Sequence, residues 1–374
     1  MVTSGDLMPC AARGFSRPCV SPGRAVERRD CSVLTLRLRD DEVRGIQDVA
    51  TELAKEFPSV ESEGFLRTAR SYADEIPRSV RSALYSYRNT ETDGLVVISG
   101  IPIDDDAVGP TPADWRDERT PSPTLREDIA FFLLGSLLGE AIGWATQQDG
   151  RIMHDIFPMK GHEHEQIGSG SSELLTWHTE DAYHPLRTDY LGLMCLRNHE
   201  GVETTAAEIS EVQLDDQTRD LLFEERFFIL PDKSHRAQNQ NSSTTRSTRS
   251  AALLQRSYER VEELLRKPEP VAVLFGDPRD PYLRIDPFYM ENAQGEVEQE
   301  ALGKVIDAVD AAMSGVVLRP GDICFIDNYR VVHGRKPFQA RFDGTDRWLR
   351  RLNITRDLRK SRGSRLDAQS RVIY

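Results

Sequence analysis

The segment LLTWHTEDAYHPLRTDYLGL, residues 174–193, places two histidines and two adjacent acids between flanks that are typical of β-strands. They are His178, Glu180, Asp181 and His184. Alternate side chains of an extended strand share a face, so we expect His178 and Glu180 on one face and Asp181 on the other. We interpret Asp181 as a supporting strand-end residue and His184 as a structural histidine. The segment therefore predicts a polar pair, His178 and Glu180, within a β-rich core.

A second segment, GVVLRPGDICFIDNYRVVHGRKPF at 315–338, predicts two strands joined by a Pro-Gly-Asp turn and places His333 beside Gly334. A lone His-x-acid pair is more often a surface feature than a metal site. With His333 added, however, two ligands from one strand and one from another can occupy one face of an octahedron. This two-histidine, one-carboxylate set leaves positions open and is typical of non-haem Fe(II).

Two arginines are predicted on one face of a later strand. In DRWLRRLNI, residues 346–354, the alternation places Arg347 and Arg351 on the same side, four residues apart. Buried guanidinium groups need anionic partners, and they bind carboxylates through two parallel hydrogen bonds. A small dicarboxylate or an amino acid is therefore a natural ligand. The alternative is a pair of ordinary surface arginines.

Composition narrows the class of partner. The 374 residues carry a formal net charge of −13, which argues against a nucleic-acid backbone or an anionic membrane surface as the main partner. No apolar run approaches the roughly 20 residues of a membrane-spanning helix. We expect a soluble cytoplasmic protein that acts on a small molecule, and the sequence indicates no particular oligomeric state.

The remaining pattern predicts one domain. Residues 1–32, rich in Arg, Pro and Ser, are expected to be a flexible N-terminal extension, and residues 33–374 a single domain with a β core from about 94 to 355. A buried strand is predicted at 94–103. The expected fold class is α+β, mainly β, with helices before and within the core. Apolar periodicity predicts these helices at 37–56, 79–89, 124–145, 250–268 and 301–315.

Two polar segments need separate interpretation. Residues 231–251, PDKSHRAQNQNSSTTRSTRSA, have almost no apolar anchors, which indicates either disorder or a functional lid, and we predict a lid over a site. The segment GHEHEQ at 161–166 resembles a His-x-His metal pair, but it lies in a glycine-flanked polar stretch. We interpret it as a surface loop.

Three motifs together resemble a known family: WATQQDG at 144–150, WHTEDAYHP at 177–185 and DNYRVVHGRKPF at 327–338. They are similar to those of the Fe(II)/2-oxoglutarate-dependent oxygenases. Within that family they look like the clavaminate synthase-like branch, which includes the arginine and other basic amino-acid β-hydroxylases of peptide-antibiotic pathways. The resemblance runs from about residue 90 to 355. It implies a double-stranded β-helix, or jelly-roll, core.

The resemblance also implies a division of roles among the site residues. His178, Glu180 and His333 would ligate Fe(II), and Arg347 would bind the distal carboxylate of 2-oxoglutarate, with O₂ as the second cosubstrate. Thr204 or Thr205 would supply a hydroxyl beside that arginine.

On the substrate side, the resemblance places Gln147 on the α-amino group, together with Glu180, and Arg351 on the α-carboxylate. Asp232 would be an acid at the base of the lid, and Asp286 would bind the distal cation. Here the chain departs from the family pattern of two acids separated by one residue, because Pro287 and Phe288 follow Asp286.

The implied reaction is hydroxylation of an unactivated side-chain carbon, Cβ or else Cγ, of a free basic L-amino acid such as arginine or lysine. Succinate and CO₂ would be the coproducts, and natural-product biosynthesis is the expected context. Desaturation or cyclisation would use the same ligands and stays open. A non-catalytic metal-binding jelly-roll protein or a zinc hydrolase is disfavoured, because neither needs an anchor for a dicarboxylate.

Overall fold

The computed structural model describes residues 26–29, 33–117, 122–235, 248–290 and 295–374. The α-helices of these residues lie mostly before and between the strands. They are α1 (Asp40–Glu56), α2 (Glu63–Ala73), α3 (Arg78–Thr90), α4 (Asp105–Val108), α5 (Leu125–Ser136), α6 (Asp216–Leu222), α7 (Thr248–Arg266), α8 (Pro287–Met290) and α9 (Glu296–Ala312).

The strands of the described residues run along most of the chain. They are β1 (Val26–Arg29), β2 (Val33–Arg37), β3 (Leu95–Ser99), β4 (Glu140–Trp144), β5 (Met153–Ile156), β6 (Leu175–His178), β7 (Tyr190–Arg197), β8 (Thr204–Glu208), β9 (Phe227–Phe228), β10 (Pro270–Val271), β11 (Leu274–Asp277), β12 (Asp280–Leu283), β13 (Ser314–Val316), β14 (Ile323–Asp327), β15 (Val331–Arg335), β16 (Trp348–Thr355) and β17 (Val372–Ile373).

Two sheets build the core. The larger has the order β1-β2-β3-β14-β7-β16-β4-β17, with β5 also paired to β16, and the smaller has the order β13-β8-β15-β6. Most pairs are antiparallel, but β2 with β3 and β4 with β17 are parallel. One apolar cluster joins Leu193 and Leu349 of the larger sheet to Ala206 and Val331 of the smaller, so the sheets pack face to face.

Helices cover both outer faces. The apolar stripe of α1, with Ile46, Ala50 and Leu53 at helical spacing, packs with α2, α3 and α5 against the larger sheet. A separate cluster joins α6, α7 and α9 to the outer face of the smaller sheet, where Ala207 and Val332 are buried. The protein is a mixed α/β structure with extensive sheets, and the expectation of helices before and within a β core is confirmed at this level.

The predicted helix at 124–145 is wrong in its second half. Helix α5 ends at Ser136, and β4 begins at Glu140 between β16 and β17. The close approach depends on two glycines: a Cβ at Gly139 would lie 2.3 Å from the Thr355 carbonyl oxygen, and one at Gly143 would lie 2.3 Å from the Arg151 carbonyl oxygen. Apolar content alone cannot separate a buried strand from a buried helix, because both are apolar on every side.

The end of one predicted segment also differs from the structure, and another predicted segment is only partly described. Residues 26–29, within the range expected to be a flexible extension, form β1, because their backbone pairs with β2. The predicted lid 231–251 lies partly outside the described residues, since 236–247 are not among them; its two ends, 231–235 and the start of α7, are described. Among the helices that the structure describes, none is both long and apolar enough to span a membrane.

Candidate active site

Two strands of the smaller sheet bring the first two histidines together. His178 ends β6 and His333 lies in β15, where the antiparallel register makes them direct partners. Their ring centroids are 4.7 Å apart. Glu180 follows two residues after β6, and its Oε2 lies 3.6 Å from His178 Nε2 and 3.4 Å from His333 Nε2. One nitrogen of each ring and one carboxylate oxygen therefore converge on a single point.

The turn after β6 is fixed by Asn328. Its Oδ1 accepts from the Glu180 backbone N at 2.8 Å, and its Nδ2 donates to the Glu180 carbonyl oxygen at 3.0 Å. Because the strand has ended, simple alternation no longer applies, and Asp181 adopts a φ of +50°. The expectation that Asp181 faces away from Glu180 is wrong, because both side chains line the same cavity.

The electrostatics of this cluster fit a cation. Burial opposes the charge on Glu180, but Arg351 and the two histidines outweigh burial and hold the pKa of Glu180 well below its usual range. Burial likewise disfavours a charged His178, yet Glu180 and Asp286 raise its pKa to about 9. His178 Nδ1 donates to the Thr176 carbonyl oxygen at 2.9 Å, which leaves Nε2 facing Glu180. Two imidazoles and one carboxylate suit Fe(II).

Arg347, next to the start of β16, is a buried cation without an anion. Its side chain is 8% exposed, and its Nη2 donates to Thr204 Oγ1 at 3.3 Å. Among the described residues no carboxylate forms an ion pair with it, and burial lowers its pKa to about 10. Arg350, on the other face of the strand, is by contrast held by Asp128 and Asp155. An isolated buried guanidinium that lines a cavity is a site for a carboxylate.

The two threonines predicted beside Arg347 lie on opposite faces of β8. Thr204 lines the cavity, whereas Thr205 pairs across the sheet with Gly334 and is not part of the cavity wall. A Cβ at Gly334 would lie 2.5 Å from the Leu175 carbonyl oxygen and 2.9 Å from Thr205 Oγ1. The structure thus brings Thr204, and not Thr205, to the arginine.

Arg351 connects three polar groups on the same face as Arg347. Its Nη1 donates to Glu180 Oε1 at 2.6 Å, and its Nη2 lies 2.9 Å from Gln147 Oε1 and 2.6 Å from His154 Nδ1. Burial first, and then the charge of Arg351, keeps the pKa of His154 well below its usual range. The neutral imidazole can therefore accept a hydrogen bond from Arg351.

Gln147 is oriented by residues that the sequence did not reveal as site residues. Its Nε2 donates to Asp181 Oδ1 at 3.3 Å and to Ser234 Oγ at 2.8 Å. His235 Nε2 donates to Asp181 Oδ1 at 2.9 Å, and its Nδ1 lies 2.6 Å from the Thr146 hydroxyl. This arrangement leaves the Gln147 carbonyl oxygen facing Arg351. Of these residues, Thr146 and Asp181 lie within motifs recognised from the sequence, whereas Ser234 and His235 lie in the predicted lid.

Asp181, Asp232 and His235 are close enough together to suggest a second metal cluster. Both nitrogens of His235 already have partners, however, in Thr146 and Asp181. Burial disfavours the imidazolium of His235, but Asp232 and Asp181 outweigh burial and raise its pKa. We interpret the group as a hydrogen-bond network that supports the cavity wall.

Two acids lie elsewhere in the cavity wall. Burial raises the pKa of Asp286 to about 6, and its Oδ1 accepts from the Tyr289 backbone N at 3.2 Å. Asp232 Oδ1 accepts from the backbone N and the hydroxyl of Ser234, at 2.7 and 2.5 Å. Within the described residues neither acid forms an ion pair with lysine or arginine. They can receive a cation.

One cavity of about 490 Å³ unites these groups. Of the residues predicted from sequence, its wall contains His178, Glu180, His333, Arg347, Thr204, Gln147, Asp232, Asp286 and Arg351. His162 also lines it, but its Nδ1 is 2.8 Å from Ser169 Oγ, while His164 contacts Glu173 on the surface. The two histidines of GHEHEQ therefore have separate partners. The cavity can hold a metal ion, a dicarboxylate and a zwitterion with a cationic end.

Comparison with known proteins agrees with this geometry. Residues 72–353 match the family "Taurine catabolism dioxygenase TauD, TfdA family". Enduracididine beta-hydroxylase of Streptomyces hygroscopicus is 64% identical over 91% of this chain and 100% of its own length. L-ornithine/L-arginine 3-hydroxylase of Catenulispora acidiphila is 44% identical over 88% of this chain and 96% of its own.

Solved structures of the non-heme iron oxygenase OrfP are similar throughout. The complex with Fe, succinate and (3S)-hydroxy-L-Arg has a TM-score of 0.83 and 40% identity, and the match covers 91% of this chain and 99% of OrfP. The complex with Fe and alpha-ketoglutaric acid has a TM-score of 0.79 and 38% identity, with 91% and 100% coverage.

Proposed function

The chain belongs to the TauD/TfdA dioxygenase family, and we propose that it hydroxylates the β-carbon of a free amino acid whose side chain ends in a cyclic guanidinium, as in enduracididine. It is an Fe(II)- and 2-oxoglutarate-dependent amino-acid hydroxylase. The observation that carries the choice of substrate is the 64% identity to enduracididine beta-hydroxylase along that relative's whole length. Production of a hydroxylated building block for a peptide antibiotic is the context that fits.

His178, Glu180 and His333 are the proposed iron ligands. When bound, the iron couples O₂ to the oxidative decarboxylation of 2-oxoglutarate and to oxidation of a substrate C–H bond. The three side chains are half-buried or buried, so the protein keeps bulk water from this point. We also propose that the two facing sheets form a double-stranded β-helix, which holds the ligands on paired strands within one domain from residue 33 to 374.

Arg347 is the proposed anchor of 2-oxoglutarate. Its guanidinium is buried and has no ion-pair partner among the described residues, so a distal carboxylate would supply the missing charge. The Thr204 hydroxyl, already 3.3 Å from Arg347 Nη2, would donate to the same carboxylate. Thr205 has no part in this proposal, because it lies on the other face of β8.

The substrate's α-groups are assigned to the opposite wall. Gln147 Oε1 would accept from the α-ammonium group, and the Arg351 guanidinium would donate to the α-carboxylate. Arg351 already contacts Glu180 at 2.6 Å, so these anchors lie directly beside the proposed iron ligands. With the distal cation at Asp286 and Asp232, the side-chain carbon next to the α-carbon would be held nearest the iron.

The test is turnover on a panel of amino acids. Purified protein with Fe(II), ascorbate and 2-oxoglutarate should release succinate when enduracididine is added, and mass spectrometry should find one added oxygen atom at Cβ. Arginine, lysine, ornithine, citrulline and asparagine complete the panel. A product that has lost two hydrogen atoms would instead show desaturation.

A pair of histidine variants tests the proposed metal ligands, one at a proposed ligand and one as its matched control. His178→Ala should abolish succinate release, whereas His164→Ala, whose side chain is 77% exposed, should leave it unchanged. If no guanidino amino acid raises succinate release above the amino-acid-free background, the proposed substrate class is wrong.

A further inference from the structure

An exposed aromatic ring stands beside the two acids of the cavity. Among the described residues four large apolar side chains are exposed, and Phe288, 44% exposed, is the one of them that lines this cavity. It lies two residues after Asp286, in the short helix α8. Exposing the apolar ring of a phenylalanine to water is unfavourable in free energy, and the rest of this wall is rich in charged side chains. A ligand that covers the ring would remove that cost.

The ring packs against the ring of its neighbour Tyr289. Its centroid is 5.0 Å from that of Tyr289, with the planes at 82°. The Tyr289 hydroxyl accepts from the Lys233 backbone N at 3.0 Å, and the Tyr289 backbone N donates to Asp286 Oδ1 at 3.2 Å. Through Tyr289, Phe288 is therefore linked to the carboxylate of Asp286 and to residues 231–235, which carry Asp232. Ring and acids form one wall.

The chemistry of this wall differs from that of two carboxylates side by side on α8, because the side chain two residues after Asp286 is an aromatic ring. A linear guanidinium presents five N–H donors and needs acceptors along more than one edge. In enduracididine one guanidinium nitrogen is bonded to the γ-carbon, so the group has one N–H fewer and one edge made of carbon. The carboxylates of Asp286 and Asp232 can serve the polar edge, and the aromatic face of Phe288 can cover the flat cation and its carbon edge.

We infer that Phe288 is a specificity-determining residue that selects a cyclic guanidinium over a linear one. This inference rests on the proposed function, because it concerns the cationic end of the same substrate. Asp286 and Asp232 fix the charge, and Phe288 disfavours arginine because its side chain offers no acceptor for the additional N–H. Phe288 also contributes stacking to the cyclic substrate.

The experiment compares enduracididine with arginine in wild type, Phe288→Leu and Phe288→Asp. In each, kcat/KM is measured by succinate release, and Kd by anaerobic calorimetry on protein loaded with Fe(II) and 2-oxoglutarate. Wild type should prefer enduracididine. Phe288→Leu should reduce that preference, and Phe288→Asp should shift the ratio toward arginine by about tenfold or more. Phe275→Leu, a half-buried ring outside the cavity, should leave the ratio unchanged.

The outcomes separate this inference from the proposed function. If wild type turns over neither compound, the proposed substrate class fails. If wild type prefers enduracididine but both Phe288 variants keep the same ratio in kcat/KM and Kd, the inference about Phe288 is overturned while the function stands. Because the ratio is taken within each variant, a general loss of stability does not imitate the effect.

Discussion

At the scale of single residues, the clearest evidence for function is the buried guanidinium of Arg347, which has no ion-pair partner among the described residues. Arg347 directly precedes β16 and Arg350 lies within it, and both are buried, yet Arg350 is held by Asp128 and Asp155 while Arg347 contacts a threonine. A protein that buries a guanidinium without a carboxylate is less stable for it, unless a ligand brings the opposite charge. The alternation of the DRWLRRLNI segment predicted the faces, but the structure identified which arginine lacks an anion.

Replacing Arg347 should therefore weaken the binding of 2-oxoglutarate more than the binding of the amino acid. We expect Arg347→Gln to raise the KM for 2-oxoglutarate by about 10- to 100-fold, because a charge-assisted pair is lost from a buried site. The Kd for the amino acid should change much less, since Gln147 and Arg351 are retained. Initial rates against 2-oxoglutarate concentration measure the effect. Arg359→Lys, at a side chain that is 91% exposed, is the control; an unchanged KM in Arg347→Gln would contradict the assignment.

At the scale of elements, the pairing of β6 with β15 sets the distance between the proposed ligands. His178 and His333 are register partners, and the register shifts between His333 and Arg335. The neighbouring Gly334 lets the backbone of β6 come close, since a Cβ there would lie 2.5 Å from the Leu175 carbonyl oxygen. The position of one histidine relative to the other depends on a residue with no side chain.

Gly334→Ala should disturb the site through the strand pair. The added Cβ cannot fit without moving β6, so we expect Fe(II) affinity to fall by about tenfold or more, since supporting contacts of metal ligands are worth that much. Metal titration followed by calorimetry measures this directly. Gly303→Ala is the matched control, because nothing lies within 4 Å of its Cβ position in helix α9, and it should stabilise the fold by about 0.5–1 kcal/mol. Wild-type Fe(II) affinity in Gly334→Ala would refute this role.

At the scale of the whole molecule, the cavity wall depends on residues from distant parts of the chain. Strand β4, which leads into Gln147, is paired on one side with β16 and on the other with β17, at residues 372–373. Ile373 is 2% exposed and packs with Ile142 and Trp144. Strand β17 thus supports the segment that presents Gln147 to the cavity.

Deleting residues 372–374 should affect both stability and substrate binding. Loss of the β4 pairing and of the buried Ile373 side chain should lower the free energy of unfolding by about 2–4 kcal/mol. The KM for the amino acid should rise more than the KM for 2-oxoglutarate, because Gln147 lies next to β4 and Arg347 does not. Denaturant unfolding and the two KM values are the measurements. As a control, Ile373→Val should reproduce a small part of the stability loss; equal shifts of both KM values would contradict the mechanism.

Side-chain chemistry and local periodicity were enough to predict the proposed ligand types, the arginine pair and the alternation that places Arg347 and Arg351 on one face, because all three can be read from short segments. Contacts in the folded protein made residues 140–144 a strand and turned Thr204, rather than Thr205, toward the cavity. They also joined Asp181, His235 and Ser234 to Gln147. Those outcomes depend on contacts between residues far apart in the chain, such as Gly139 with Thr355. No local sequence pattern predicts such contacts, because they depend on how the two sheets pack against each other.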